Sequence, residues 1–350
     1  MISHRHAVIA ALLVATLSQA DAAWAAETAN GSDAERAAIE ARIQALNAEL
    51  RSLQQELEEI ESPPGRGLRD APWEVRQETV LEEIAERRYL EREASRNPLS
   101  ITAYRRNYLL PVSYSDKPNE EAFRDISSTV GPDDVELKFQ FSAKVNIMED
   151  LFGETGDLFF GYTQRSWWQA YNTDASSPFR ETNFEPELFI SFDNTWQFLG
   201  WTNTHNQVAL NHQSNGRSDP LSRSWNRIIV ESSFQRGDWA FRLAPHWRIP
   251  ESDSEDDNPD IEDFMGHGDV TIAHRFDDEE VSLLWRGDPG NGNMGTQVDY
   301  SWPLFGNNIR GHVQYYYGYG ESLVDFDNRN HRLSLGFSLN PLFSNGGLTP

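Results

Sequence analysis

Val135-Glu136-Leu137-Lys138-Phe139-Gln140-Phe141-Ser142-Ala143-Lys144-Val145-Asn146-Ile147 alternates apolar and polar residues without a break. Side chains on a β-strand point to opposite faces in turn, so this stretch predicts one face of Val, Leu, Phe and Ile and one of Glu, Lys and Gln. An apolar face backed by a charged one at strand period is the signature of a membrane barrel wall.

The same period runs outward in both directions. Before it, Tyr108, Leu110, Val112 and Tyr114 alternate with polar residues and Pro111. After it come Leu158-Phe160-Tyr162, Phe184 to Phe192, Val208-Leu210, Ile228-Val230 and Trp239-Phe241-Leu243. Val270-Ile272, Val281-Leu283-Trp285, Val298-Tyr300-Trp302, Val313-Tyr315-Tyr317 and Leu333-Leu335-Phe337-Leu339 complete the series. These are about twelve segments of the length membrane strands require. The reading is all-β: a twelve-stranded antiparallel transmembrane β-barrel over 104–343, its last strand ending at Phe343, with a tail over 344–350. With the N-terminus in the periplasm, the connections near 115–134, 171–181, 215–222, 250–267, 288–294 and 319–330 fall at the outer end.

Composition agrees. Mean hydropathy is −0.63, which alone would suggest a soluble chain. Yet 12% of residues are aromatic, including 11 Trp and 11 Tyr, and polar lumen residues offset apolar lipid-facing ones in a barrel's average. A formal charge of −25 excludes nucleic acid as a partner, since nothing would neutralise phosphates. The absence of cysteine removes disulfides, thiolate metal sites and cysteine nucleophiles together.

The N-terminal third is organised differently. His4-Arg5-His6, the apolar run Ala7 to Leu17 and the small-residue pattern Ala23-Trp24-Ala25 predict a signal peptide over 1–25. Ile39, Ile43, Leu46, Leu50, Leu53, Leu57 and Ile60 then recur at spacings of four and three, a heptad seam. It predicts a periplasmic coiled-coil helix over 26–62, either self-associating or lying on its own domain, ended by Ser62-Pro63-Pro64-Gly65. A charged linker or helical region follows over 63–103.

Chemistry concentrates in Asn211-His212-Gln213-Ser214-Asn215-Gly216-Arg217-Ser218-Asp219-Pro220-Leu221-Ser222-Arg223-Ser224-Trp225-Asn226-Arg227. Asn215-Gly216 and Asp219-Pro220 mark a turn between two strands. His212 and Ser214 share the parity of Val208 and Leu210, and Asn226 that of Ile228 and Val230, so all three project toward lipid. The hairpin's symmetry about Asp219 sets Asn226 opposite His212. Polar groups on an apolar face are costly unless they satisfy one another. Ser214 as nucleophile, His212 as base and Asn226 as orienting residue would form such a set. Parity alone also accommodates three interfacial polar residues near the rim.

The whole stretch resembles the active-site hairpin of the outer-membrane phospholipase A family. Further similarity lies in Tyr162 to Gln169, Ser176 to Asn183, Asp256 to Ile261 and Gly318 to Leu323, so the resemblance runs from about Asn107 to Phe343. It implies calcium-dependent hydrolysis of the acyl esters of glycerophospholipids and lysophospholipids by a dimer in the outer membrane. It implies catalysis by Ser214, His212 and Asn226, with the Gly216 amide stabilising the oxyanion. Calcium would be held by the Arg217 carbonyl, Ser222 and the partner subunit's Ser176. Gln164, whose parity turns an amide outward, would lie in the dimer contact or simply in wet interface. The acidic run Asp253 to Asp263 would be a solvated loop or a second calcium contact. A porin-like channel, a structural barrel tethered by its coiled coil and a soluble periplasmic esterase are the competing readings.

Overall fold

The computed structural model describes Arg42 and residues 73–95, 100–252, 254, 256–305, 309–339, 343–344 and 347–348. The expected signal peptide and coiled coil lie outside the described residues, Arg42 apart.

Twelve long strands form the body: β1 (Tyr108–Ser115), β2 (Val135–Met148), β3 (Asp157–Trp168), β4 (Phe179–Asp193), β5 (Trp201–Ser214) and β6 (Ser224–Arg236), then β7 (Trp239–Ile249), β8 (Gly268–Phe276), β9 (Glu279–Asp288), β10 (Asn293–Phe305), β11 (Ile309–Gly318) and β12 (Asn330–Ser338). Each pairs antiparallel with its neighbours in sequence, and β12 returns to β1. The sheet therefore closes into a barrel with no free edge.

Burial is inverted relative to a soluble protein. On β2, Glu136 and Lys138 are each 2% exposed, while Phe141 is 54% and Ile147 51% exposed. Charge is inside and hydrocarbon outside, an arrangement that only a lipid surround stabilises. The interior groups are paired. Arg180 lies 3.0 Å from Glu136 and 2.7 Å from Asp325, Lys138 lies 2.9 Å from Glu321, and Arg106 lies 3.0 Å from Glu280. A cavity among these side chains has a volume of about 90 Å³, room for a few waters. The interior is a plug of ion pairs and not the channel that a porin-like reading requires.

Two strand readings need correction. Tyr108 and Leu110 do not share a face with Val112 and Tyr114. Both are buried toward the lumen, while Val112 and Tyr114 face outward. The register shifts between Leu110 and Ser113, around Pro111, which has no N–H to give the ladder and so sits in a bulge. The last barrel strand ends at Ser338, not Phe343. Phe343–Ser344 pairs instead with Gly347–Leu348.

The charged region before the barrel contains helix α1 (Trp73–Ser95). Its Arg88 pairs with Asp193 at 3.1 Å and its Glu91 with Lys144 at 2.6 Å, which seats it at the inner end of the strands. At the opposite end, the longer connections carry two short helices, α2 (Glu120–Arg124) and α3 (Ile261–Met265). Ile261, Met265, Leu323 and Phe326 from these loops pack with Trp225 of β6. That cluster fixes the loop end of the barrel directly behind the chemically rich hairpin.

Candidate active site

Hairpin β5–β6 aligns His212 with Asn226 and Ser214 with Ser224. Along both strands burial alternates: Asn211, Gln213, Trp225 and Arg227 are buried, while His212, Ser214 and Asn226 are half-exposed on the outer face. The inner set is tied together. Trp225 Nε1 donates to Gln213 Oε1 at 2.8 Å, and Arg227 lies 4.0 Å above the Trp225 ring and donates to Asn211 Oδ1 at 2.7 Å. Arg227 also pairs with Glu185 of β4 at 3.0 Å.

On the outer face, His212 Nδ1 and Asn226 Oδ1 stand 2.8 Å apart. The Asn226 amide nitrogen donates to Glu251 Oε1 at 2.7 Å. Among the described residues no hydrogen bond joins the Ser214 hydroxyl to His212; the two share one face, two positions apart on β5. Such contacts are commonly loose without substrate and tighten in the reacting complex.

Asn215 builds the turn. Its side chain donates to the Leu221 carbonyl at 2.7 Å and accepts from the Arg223 amide at 3.1 Å and the Arg217 amide at 3.3 Å. Gly216 follows with φ +63°, a left-handed conformation that glycine adopts without strain. The Arg217 guanidinium donates to the carbonyls of Phe179 and Arg180 at 2.8 and 3.0 Å. This ties the turn to the start of β4, whose preceding loop carries the exposed Ser176.

The loop after β7 closes the other side. Ser222 Oγ donates to Asp257 Oδ2 at 2.5 Å, the Ser224 amide donates to Asn258 Oδ1 at 2.9 Å, and Arg248 pairs with Asp256 at 2.5 Å. The acidic run is thus not only a solvated loop. Its residues Asp257 and Asn258 clasp the hairpin while Asp256 pairs with Arg248 of β7, and Asp257, Asn258 and Glu251 lie at the candidate site although sequence reasoning did not single them out individually. A signal for Glu251 was present: it has the parity of Ile249, which pairs with Asn226.

The donors at the turn are oxygens: the Arg217 carbonyl, the Ser222 hydroxyl and the Asp257 carboxylate beside it. Among the described residues no cluster of three or more acidic or histidine side chains could hold a metal ion. A cation here would rest on carbonyl and hydroxyl oxygens and water, which suits calcium. Gln164 faces outward on β3, where its amide accepts from Tyr162 Oη at 3.1 Å and donates to Ser166 Oγ at 3.2 Å.

Comparison with known proteins places the chain. The family model described as Phospholipase A1 matches residues 84–339. The chain is 38% identical to Phospholipase A1 of Klebsiella pneumoniae over 247 residues, covering 71% of this chain and 85% of that one. It is 37% identical to the Escherichia coli K12 enzyme, covering 71% and 84%. Among solved structures, outer membrane phospholipase A from Escherichia coli superposes with a TM-score of 0.67 at 36% identity, over 70% of this chain and all of that one. The Salmonella typhi outer membrane phospholipase, a dimer with bound calcium, gives 0.66 at 36% identity, over 70% and 93%. The closed barrel, the inverted burial and these relationships agree: the chain is a phospholipase of the Gram-negative outer membrane and belongs to the phospholipase A1 family.

Proposed function

We propose that the enzyme hydrolyses acyl esters of glycerophospholipids and lysophospholipids through Ser214, His212 and Asn226, with calcium and as a homodimer. The observation that carries this reading is the 2.8 Å contact between His212 and Asn226 on the lipid-facing surface, with Ser214 next on the same face. A diacyl phospholipid lying along the barrel would meet Ser214 from the membrane side, so substrate need not leave the bilayer.

In the proposed sequence Ser214 Oγ attacks the ester carbonyl carbon and its proton passes to His212 Nε2. Asn226 Oδ1 accepts a hydrogen bond from Nδ1–H, which keeps its proton, and so holds the ring in place. The tetrahedral oxyanion lies toward the Gly216 amide, a donor of the kind worth about 10²–10³ in rate. Collapse breaks the ester bond, and His212 returns the proton to the departing lysophospholipid alkoxide. Water, deprotonated by His212, then attacks the acyl carbon; the bond to Ser214 Oγ breaks, His212 returns the proton to Oγ, and the fatty acid leaves. Arg217, Ser222 and the partner subunit's Ser176 would hold calcium, which when bound adds positive charge beside the developing oxyanion. The oxygen-only donors at the turn support that assignment, as does the calcium-bound dimer of the Salmonella typhi relative.

Acyl release from phospholipid–detergent micelles tests the reading. Ser214→Ala should lose at least about a thousandfold in kcat while keeping the mobility of the folded barrel on unheated gels. Chelator should silence the wild type reversibly. Activity that survives Ser214→Ala would sink the triad, and activity indifferent to chelator would sink the role of calcium.

A further inference from the structure

A side-chain amide can face its neighbours in two ways, and in this site only one of them is productive. If Asn226 turned its nitrogen toward His212, it would donate to Nδ1 and leave the ring proton on Nε2. The imidazole could then take no proton from Ser214. Something must choose between the two orientations.

We propose that Glu251 is a positioning residue that sets the Asn226 amide and, through it, the tautomer of His212. This rests on the triad reading above. A carboxylate only accepts hydrogen bonds, and Glu251 Oε1 lies 2.7 Å from Asn226 Nδ2. The amide nitrogen is therefore committed to Glu251, and Oδ1 is left facing His212 Nδ1 at 2.8 Å. Nδ1 must then carry the proton, and Nε2 is the acceptor that Ser214 needs.

Glu251 is itself held. Ile249 of β7 pairs with Asn226 of β6, and Glu251 lies two positions further along the same face. Arg248, 9% exposed, reaches Glu251 Oε2 at 3.8 Å, Asp256 at 2.5 Å and the Asn258 carbonyl at 3.2 Å. Glu251 Oε2 is buried without a hydrogen-bond partner. A buried carboxylate oxygen left with only a long ion pair is costly, and its retention beside the site is accounted for by the bond its other oxygen makes. The arrangement extends the relay to Ser214, His212, Asn226 and Glu251, with the acidic loop as its anchor.

A double-mutant cycle at saturating calcium tests this, on full-length protein whose folding is checked by heat-modifiable mobility. Glu251→Ala should lower kcat about 10- to 100-fold with KM nearly unchanged, by analogy with the outer hydrogen-bond partners that orient metal-bound histidines. Glu251→Gln, which can still accept from Asn226, should recover most of that loss. In an Asn226→Ala background, Glu251→Ala should cost nothing further, because no amide remains to orient. Equal losses in both backgrounds, a Glu251→Gln variant as poor as Glu251→Ala, or no loss in either background would each overturn the proposal. Ser214→Ala and Asn226→Ala alone, run alongside, report on the triad itself. If they retain full activity the triad reading has failed, whatever Glu251 does.

Discussion

The two faces of hairpin β5–β6 are made from alternate residues of the same two strands, yet they follow different rules. Toward the lumen, Asn211, Gln213, Trp225 and Arg227 bond to one another and to Glu185, and all are buried. Toward lipid, His212, Ser214 and Asn226 stand among Val208, Leu210 and Ile228, with a single contact between two of them and a tether from a neighbouring loop. The inner face spends its polar groups on rigidity. On the outer face, among the described residues, the Ser214 hydroxyl is left without a hydrogen bond. On the mechanism proposed above the second depends on the first, because a nucleophile poised in a fluid bilayer must be held by the protein behind it.

The sharpest way to break this contrast is to cross the two properties. Trp225→Ala removes the largest side chain behind the site and the centre of the cluster with Ile261, Met265, Leu323 and Phe326. It should cost about 3–5 kcal/mol, as large aromatic truncations in packed interiors do. Ser214→Ala should change stability by less than about 0.5 kcal/mol. Guanidinium unfolding in detergent micelles measures both. If Ser214→Ala destabilised the barrel as much as Trp225→Ala, the division between a supporting face and a reacting face would be wrong.

How much of this was legible in the sequence also divides by face. The alternation of Val135 to Ile147 and the parity of His212, Ser214 and Asn226 determine which way each side chain points, and the strand period carries that directly. Parity says nothing about loops. The seating of Asp257 on Ser222 and of Glu251 on Asn226 depends on how the connection after β7 folds back, which no period encodes. Pro111 shows the other way to miss. Four apolar residues at even spacing looked like one face, and a bulge at a residue without an N–H divided them between two. Phe343 looked like the end of a strand because its residue type was right, while the ladder stops at Ser338.

Asn215 sharpens the comparison at a smaller scale, since it belongs to the buried set but shapes the turn that carries Gly216, Arg217 and Ser222. Asn215→Ala deletes its bonds to Leu221, Arg223 and Arg217. A loss of about 1–3 kcal/mol in stability is expected from buried partners left unmet. If the turn holds calcium as proposed, the calcium concentration for half-maximal activity should rise as well, because the oxygens of the turn would no longer be held together. Ser222→Ala should raise the proposed calcium requirement with a smaller loss of stability, since it deletes the one bond to Asp257 where Asn215→Ala deletes three. Calcium titrations of acyl release, read beside unfolding midpoints, separate the two variants. An unchanged calcium requirement in both would detach the metal from this turn.

The smallest expected effect lies farthest from the chemistry. Gln164 faces lipid on β3, and its amide is already satisfied by Tyr162 and Ser166 within the same chain. Pairing with a second copy would therefore exchange existing bonds for new ones and would not rescue an unmet group. Interhelical polar contacts in membranes average only about 0.6 kcal/mol for the same reason, that the separated state also finds partners. If the chain dimerises as proposed, Gln164→Ala should accordingly weaken the dimer by about threefold, with kcat unchanged at protein concentrations that keep the dimer intact. Energy transfer between labelled copies in calcium-containing micelles gives the association constant. A loss of tenfold or more would mean that the amide sheds its intrachain bonds on association, and the outer face would then hold a second group kept in reserve as Ser214 is.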